Sequence, residues 1–205
     1  MSVVQPSETD AKSVLASARK RAVAIILTPI VVTVIWAVVA MLTSVPVKVP
    51  SAPALRVGEP VAAFSFPLLS GGTSSLSDYR GKLLLINIWA TWCPPCINEM
   101  PDLQNLYIQM KSKGAPFEIL GISIDALGAE SVKKWAERFG IKFPILLDPR
   151  GTVKKLYQIT GVPETFVVDP KGVLVRKFIG PLRWDGAAMI KFLNATLEGR
   201  KKPTS

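Results

Sequence analysis

Past residue 58 the chain alternates short apolar runs with amphipathic stretches, and Gly or Pro marks most changes of period. Residues 83–89 read LLLINIW, a nearly continuous apolar run expected of a strand covered on both faces. Residues 64–66, 118–124 and 144–147 carry further strand patterns. A helix is predicted to begin at Cys93 or Pro94 and run toward Lys111. Residues 130–139 predict an amphipathic helix stopped by Gly140. A short helix follows over 152–157 and a last one over 185–197. Ser70-Gly71-Gly72-Thr73 reads as a turn. Residues 165–169 and 173–179 flank the turn Pro170-Lys171-Gly172 and predict a hairpin. Strands alternating with helices and closing on a hairpin mean an α/β domain with a mixed sheet.

The pattern ahead of this region is different. No charge falls between Arg21 and Lys48, and 22–47 read AVAIILTPIVVTVIWAVVAMLTSVPV. A helix of about 20 apolar residues crosses a bilayer, so this run predicts one transmembrane helix. Arg19, Lys20 and Arg21 abut its N-terminal side, which predicts a cytoplasmic N-terminus and an extracytoplasmic C-terminal domain. The run exceeds the roughly 7–15 residues of a signal-peptide core, so an uncleaved anchor is favoured. Pro46, Pro50, Pro53 and Pro60 make the following stretch a semi-extended tether. The expected organisation is a cytoplasmic tail over 1–21, an anchor over 22–47, a Pro-rich tether over 48–57, a folded domain over 58–198 and a basic tail over 199–205.

Composition then narrows the chemistry. The 205 residues include 25 Lys and Arg against 15 Asp and Glu, a net charge of +10. The cations are scattered without interleaved aromatics, so no nucleic-acid partner is expected. There is no histidine, which excludes Ser-His-Asp triads, Cys-His pairs and His-ligated metals. Both cysteines lie in Trp92-Cys93-Pro94-Pro95-Cys96.

Cys93 follows the predicted central strand and opens a helix. There its thiolate meets unpaired N–H groups and the positive end of the helix dipole, which lower its pKa. Cys96 lies one turn further in, on the same face. Cys93 is therefore the candidate nucleophile and Cys96 the candidate resolving thiol of a redox-active disulfide. Pro94 and Pro95 lack N–H groups, leaving chiefly the Cys96 amide to face the sulfur. That implies a moderate drop in the Cys93 pKa and a reducing couple. A closed zinc site needs four ligands, and a c-type haem needs His where Ile97 stands. Peroxiredoxins place Thr three residues before the peroxidatic Cys, where this chain has Ala90 or Cys93. A structural disulfide would close too tight a loop to constrain much chain. A Cu(I) site of two thiolates stays open.

Asn87-Ile88-Trp89-Ala90-Thr91-Trp92-Cys93-Pro94-Pro95-Cys96 resembles the active-site segment of thioredoxin-fold proteins. Gly161-Val162-Pro163-Glu164-Thr165-Phe166 resembles their second motif, whose proline is cis and faces the CxxC. Gly58-Glu59-Pro60 and Leu76-Ser77-Asp78-Tyr79-Arg80-Gly81-Lys82 are similar to the membrane-anchored branch, the TlpA/ResA/CcmG (DsbE)-like proteins. The resemblance covers about residues 56–197. It implies a thioredoxin-like fold with an N-terminal extension and an inserted αβ unit over 130–147.

The resemblance also implies site residues. Thioredoxins carry a buried Asp where this chain has Asn87. The TlpA/ResA-like branch instead has a Glu at the position of Glu99, expected to tune the Cys96 pKa and relay its proton. Pro163 is expected to align the substrate, with Val162 offering its backbone as in β-augmentation. Trp92, Val162 and Glu164 are the expected substrate-binding residues, Glu164 resembling the CcmG-like group. Trp89 is expected to be mostly core. Pro101 is expected to kink the first helix. The implied activity is that of a membrane-tethered thiol–disulfide oxidoreductase facing the periplasm, without cofactor or metal. Its implied partners are disulfide-containing extracytoplasmic proteins, such as apocytochrome c or a copper-site assembly factor. Electrons would come from an integral membrane donor of the CcdA/DsbD type. A Cu(I) delivery module and a thiol oxidase or isomerase are the alternatives.

Overall fold

A computed structural model describes residues 55–199, together with Thr33 and Trp36. The chain divides into two units, Met1–Ser51 and Ala52–Ser205. Of the first unit only Thr33 and Trp36 are described, both helical. The expected N-terminal tail and most of the expected anchor, tether and basic tail lie outside the described residues. Among the described residues, no helix is long and apolar enough to cross a membrane.

The second unit is built on a five-stranded sheet. Its strands are β3 (Leu83–Trp89), β4 (Phe117–Ser123), β5 (Ile145–Leu147), β6 (Glu164–Val168) and β7 (Leu174–Ile179), in the order β5-β4-β3-β6-β7. β3, β4 and β5 are parallel, β6 runs antiparallel to β3, and β7 runs antiparallel to β6. Every residue of β3 and β4 is buried, as their apolar runs predicted. Gly121 interrupts β4 because a Cβ there would come 3.1 Å from the Trp89 indole and from the Phe143 ring.

Four α-helices are present among the described residues: α1 (Pro94–Ser112), α2 (Ala129–Arg138), α3 (Thr152–Leu156) and α4 (Ala187–Leu197). α1 buries Cys96, Met100, Leu103, Leu106 and Met110, a helical stripe that lies in the core. Pro101 sits inside α1, which nevertheless continues as a single element to Ser112. α2 and β5 form the expected added αβ unit, with β5 pairing β4.

The N-terminal extension differs in one respect from expectation. The turn at Gly71 and Gly72 joins two strands, β1 (Ser65–Pro67) and β2 (Thr73–Ser75). The polar sequence of β2 gives no alternation to read, and its pairing with β1 alone makes it a strand. The overall result is a mixed α/β, thioredoxin-like arrangement with the ends of β3, β4 and β5 and the start of β6 gathered at one edge. Such an edge is where α/β sheets place their sites.

Candidate redox site

β3 ends at Trp89, and Ala90, Thr91 and Trp92 turn the chain into α1. Cys93 is the N-cap of that helix. Its Sγ accepts the Cys96 amide N–H at 3.2 Å, and its carbonyl accepts that of Ile97 at 3.1 Å. Pro94 and Pro95 open the helix without N–H donors of their own. Cys93 and Cys96 are joined in a disulfide. Cys93 is 4% exposed and Cys96 fully buried, the order expected of an attacking and a resolving sulfur.

The turn before Cys93 is clamped from β4. Both carboxylate oxygens of Asp125 accept the Thr91 amide, at 3.1 and 3.0 Å. The Thr91 hydroxyl donates to the same carboxylate, and Ser123 Oγ donates to it at 2.6 Å. Trp89 is buried as expected and packs on Trp135 with ring centroids 4.7 Å apart. Trp92, one of the expected substrate-binding residues, stands 57% exposed beside it.

The Val162–Pro163 peptide is cis. The Val162 carbonyl oxygen lies 3.6 Å from Cys93 Sγ. Gly180, just past β7, donates its amide to the Pro163 carbonyl at 2.9 Å. The structure therefore brings Cys93, Cys96, Val162 and Pro163 together.

Glu99 lies one turn beyond Cys96 and is 2% exposed. Its Oε1 accepts from Asn87 Nδ2 at 2.8 Å. Its Oε2 accepts from the Leu182 amide at 3.1 Å and from Trp184 Nε1 at 2.9 Å. Burial pushes the Glu99 pKa above the ordinary carboxylate value, and these donors only partly offset it. Asn87, standing where thioredoxins have an Asp, also donates to Thr165 Oγ1 at 2.8 Å and so ties β3 to β6.

Glu164 is fully buried, and its expected direct contact with substrate is not what the structure shows. Its Oε1 accepts from the Thr160 amide at 2.8 Å and the Thr160 hydroxyl at 2.7 Å. Its Oε2 lies 2.7 Å from the Lys177 ammonium. Burial raises its pKa, but Lys177 and the Thr160 donors outweigh burial and hold the carboxyl below its ordinary value. β6 alternation places this side chain under the loop that carries Val162, so it braces that loop from inside.

Asp125, Leu182, Trp184, Thr160 and Lys177 were not legible as site residues. Only Asp125 had a local signal, a carboxylate just past the end of a central parallel strand. Two surface cavities of about 600 and 590 Å³ are lined by other parts of the unit, and neither takes in Cys93 or Cys96.

The model of the AhpC/TSA family matches residues 57–177. The thiol-disulfide oxidoreductase ResA of Geobacillus kaustophilus is 39% identical over 129 residues, spanning 63% of this chain and 72% of that protein. The thioredoxin domain of a thiol-disulfide oxidoreductase from Bacteroides vulgatus superposes with a TM-score of 0.60 at 30% identity, covering 70% of this chain and 99% of that one. A thiol:disulfide interchange protein from Bacteroides sp. gives a TM-score of 0.60 at 32% identity, covering 72% and 96%. The matched residues carry the joined cysteines, the cis-proline and the buried Glu99. With these likenesses, the chain belongs to the AhpC/TSA family and is a thiol–disulfide oxidoreductase of its TlpA/ResA/CcmG-like kind.

Proposed function

We propose that this oxidoreductase is membrane-tethered and reduces disulfides in extracytoplasmic partner proteins. The observation that carries the chemistry is Cys93 at the N-cap of α1, 3.6 Å from the Val162 carbonyl. A partner strand laid along the Val162 backbone would bring its disulfide onto the sulfur of Cys93. The Cys93 thiolate attacks one partner sulfur, and the other leaves as a thiolate. Cys96 then attacks Cys93 sulfur, closing the disulfide seen here and releasing the second partner thiolate. Glu99 takes the proton of the Cys96 thiol as that attack begins. Its raised pKa suits it to hold a proton nearer neutral pH than an exposed carboxylate. Two electrons thus pass from the dithiol to the partner.

The uncharged run over 22–47 and its basic flank support the tether and an extracytoplasmic domain. In an oxidising compartment the dithiol needs resupply, which fits an integral membrane donor of the CcdA/DsbD type. Apocytochrome c and copper-site assembly factors are the partner class this reading favours.

Cys96→Ser in the full chain, expressed in cells, tests the roles. It is expected to trap mixed disulfides through Cys93 that a reductant releases. Adducts formed only through Cys96, in the Cys93→Ser variant, would reverse the two roles. The potential tests direction: a value near that of thioredoxin, about −270 mV, supports reduction, and one near about −120 mV makes the protein an oxidase. A Cys93 pKa near 4 would contradict the moderate activation that Pro94 and Pro95 imply. Extraction of the full chain from membranes by alkaline carbonate would overturn the tether.

A further inference from the structure

The segment joining β7 to α4 touches the site twice. At Gly180 it donates to the carbonyl of Pro163, next to Val162. At Leu182 and Trp184 it donates both N–H groups that reach Glu99 Oε2. Five residues thus connect the substrate-aligning proline to the carboxylate one turn from Cys96.

Trp184 is fully buried and is itself held in place. Phe178 meets it edge-on, with centroids 5.4 Å apart. Phe192 of α4 packs against Phe178 in turn at 6.4 Å, and the Arg176 guanidinium lies 5.0 Å from the Phe178 ring. A buried indole N–H normally finds one acceptor. Here that acceptor is a carboxylate, the stronger kind of hydrogen bond.

We propose that Trp184 is a positioning residue for the resolving half of the reaction, its indole N–H fixing the Glu99 carboxylate so that it can take the Cys96 proton. This rests on the role given to Glu99 above. The chemistry affected is the second step alone. The Cys96 S–H loses its proton to Glu99, the new sulfur–sulfur bond forms to Cys93, and the bond from Cys93 to the partner sulfur breaks. Cys93 attack on the partner does not involve Glu99 and is unaffected. Besides Glu99, the same helix carries the ionisable groups Cys96, Asp102, Tyr107 and Lys111, and of the charged ones Asp102 acts on Glu99. Arg183 and Asp185 of the β7–α4 segment act on Asp102. Asn87 of β3 and Thr165 of β6 face the carboxylate network as neutral groups.

Trp184→Phe in the reduced full chain removes the N–H together with part of the buried ring, and the benzothienyl analogue of tryptophan at 184 removes the N–H alone. One equivalent of 5,5′-dithiobis(2-nitrobenzoate) releases a first thionitrobenzoate as Cys93 attacks and a second as Cys96 resolves. The first release is expected to keep its rate. The second is expected to slow roughly tenfold below its midpoint. That midpoint should move up by about one pH unit, because an ionised carboxylate has lost a donor. In a Glu99→Gln background, Trp184→Phe should change the second release no further. Equal slowing in both backgrounds, or an unmoved midpoint, would overturn the proposal. If Glu99→Gln itself leaves the second release unchanged, the Glu99 reading fails and the Trp184 role with it. If Trp184→Phe does not fold, the benzothienyl analogue of tryptophan at 184, which keeps the bicyclic shape and lacks the N–H, gives the same readout.

Discussion

Glu99 on α1 and Glu164 at the start of β6 are both buried and each held by several donors. Around Glu99 all the donors are neutral: an amide side chain, a backbone N–H and an indole. Around Glu164 a lysine ammonium sits at 2.7 Å. Burial raises both pKa values, but only for Glu164 is it outweighed, so the two shift in opposite directions. Burial by itself therefore does not assign a carboxylate its task. The presence of a full countercharge does. Glu164, with its pKa lowered by Lys177 and the Thr160 donors, serves as a brace, whereas a Glu99 with a raised pKa is suited to exchange a proton.

Breaking the brace should give the largest change. Lys177→Met strands a buried carboxylate, a loss of about 3–5 kcal/mol for a fully buried pair. Lys177 is 25% exposed, which discounts the loss to about 2–3 kcal/mol. Urea unfolding at neutral pH measures it. The deficit should shrink in acid, where the stranded Glu164 of the variant is protonated. An equal deficit at both pH values would mean that Lys177 acts through its stem packed over Phe166 and not through its charge.

Removing one neutral donor from the same carboxylate should matter less. Thr160→Val deletes the hydroxyl that donates to Glu164 Oε1 and leaves the backbone amide in place. A loss of about 1 kcal/mol is expected by the same urea titration. A loss matching that of Lys177→Met would deny the countercharge its special weight.

Changing Glu99 should have the smallest effect on stability and the opposite sign. Its pKa is raised on folding, so the native state binds more protons than the unfolded chain. Its stabilising contribution is full below about pH 4.3 and is lost as pH rises through the folded value. Glu164, with its pKa lowered, contributes above about pH 4.3 and loses that contribution as pH falls through the folded value. Glu99→Gln is thus expected to raise the urea midpoint slightly at neutral pH, with the gain vanishing in acid. The buried Oδ1 of Asn87, without a partner in this structure, can then accept from the new amide. A midpoint that falls at neutral pH would show that the ionised form is the better bound one.

The two glutamates were also unequally legible. Glu99 was legible as a candidate because it is one helical turn from Cys96 in the sequence, and a turn is a local relation. Glu164 was expected to meet substrate because it follows Pro163, yet strand alternation turned its side chain inward to Lys177. Trp92, the other side chain expected to meet substrate, stands exposed beside the cysteines. Element limits mostly matched within two residues, since Gly and Pro mark them locally. β2 was missed because three polar residues carry no period and become a strand only by pairing with β1.

The sequence by itself determined the chemistry and the frame that carries it. Two thiols at one spacing, the absence of histidine, the prolines after Cys93 and the apolar strand before it are all properties of neighbouring residues. Helix starts, strand burial and the sulfur facing the Cys96 amide follow from them. Tertiary structure decided how each buried charge is used. Trp184 and Leu182 reach Glu99 across 85 and 83 residues of chain, and Asp125 reaches Thr91 across 34. No local pattern encodes such contacts. They exist because the sheet order closes these segments onto one edge, where burial weakens solvation and each N–H or ammonium within reach decides which carboxylate stays charged.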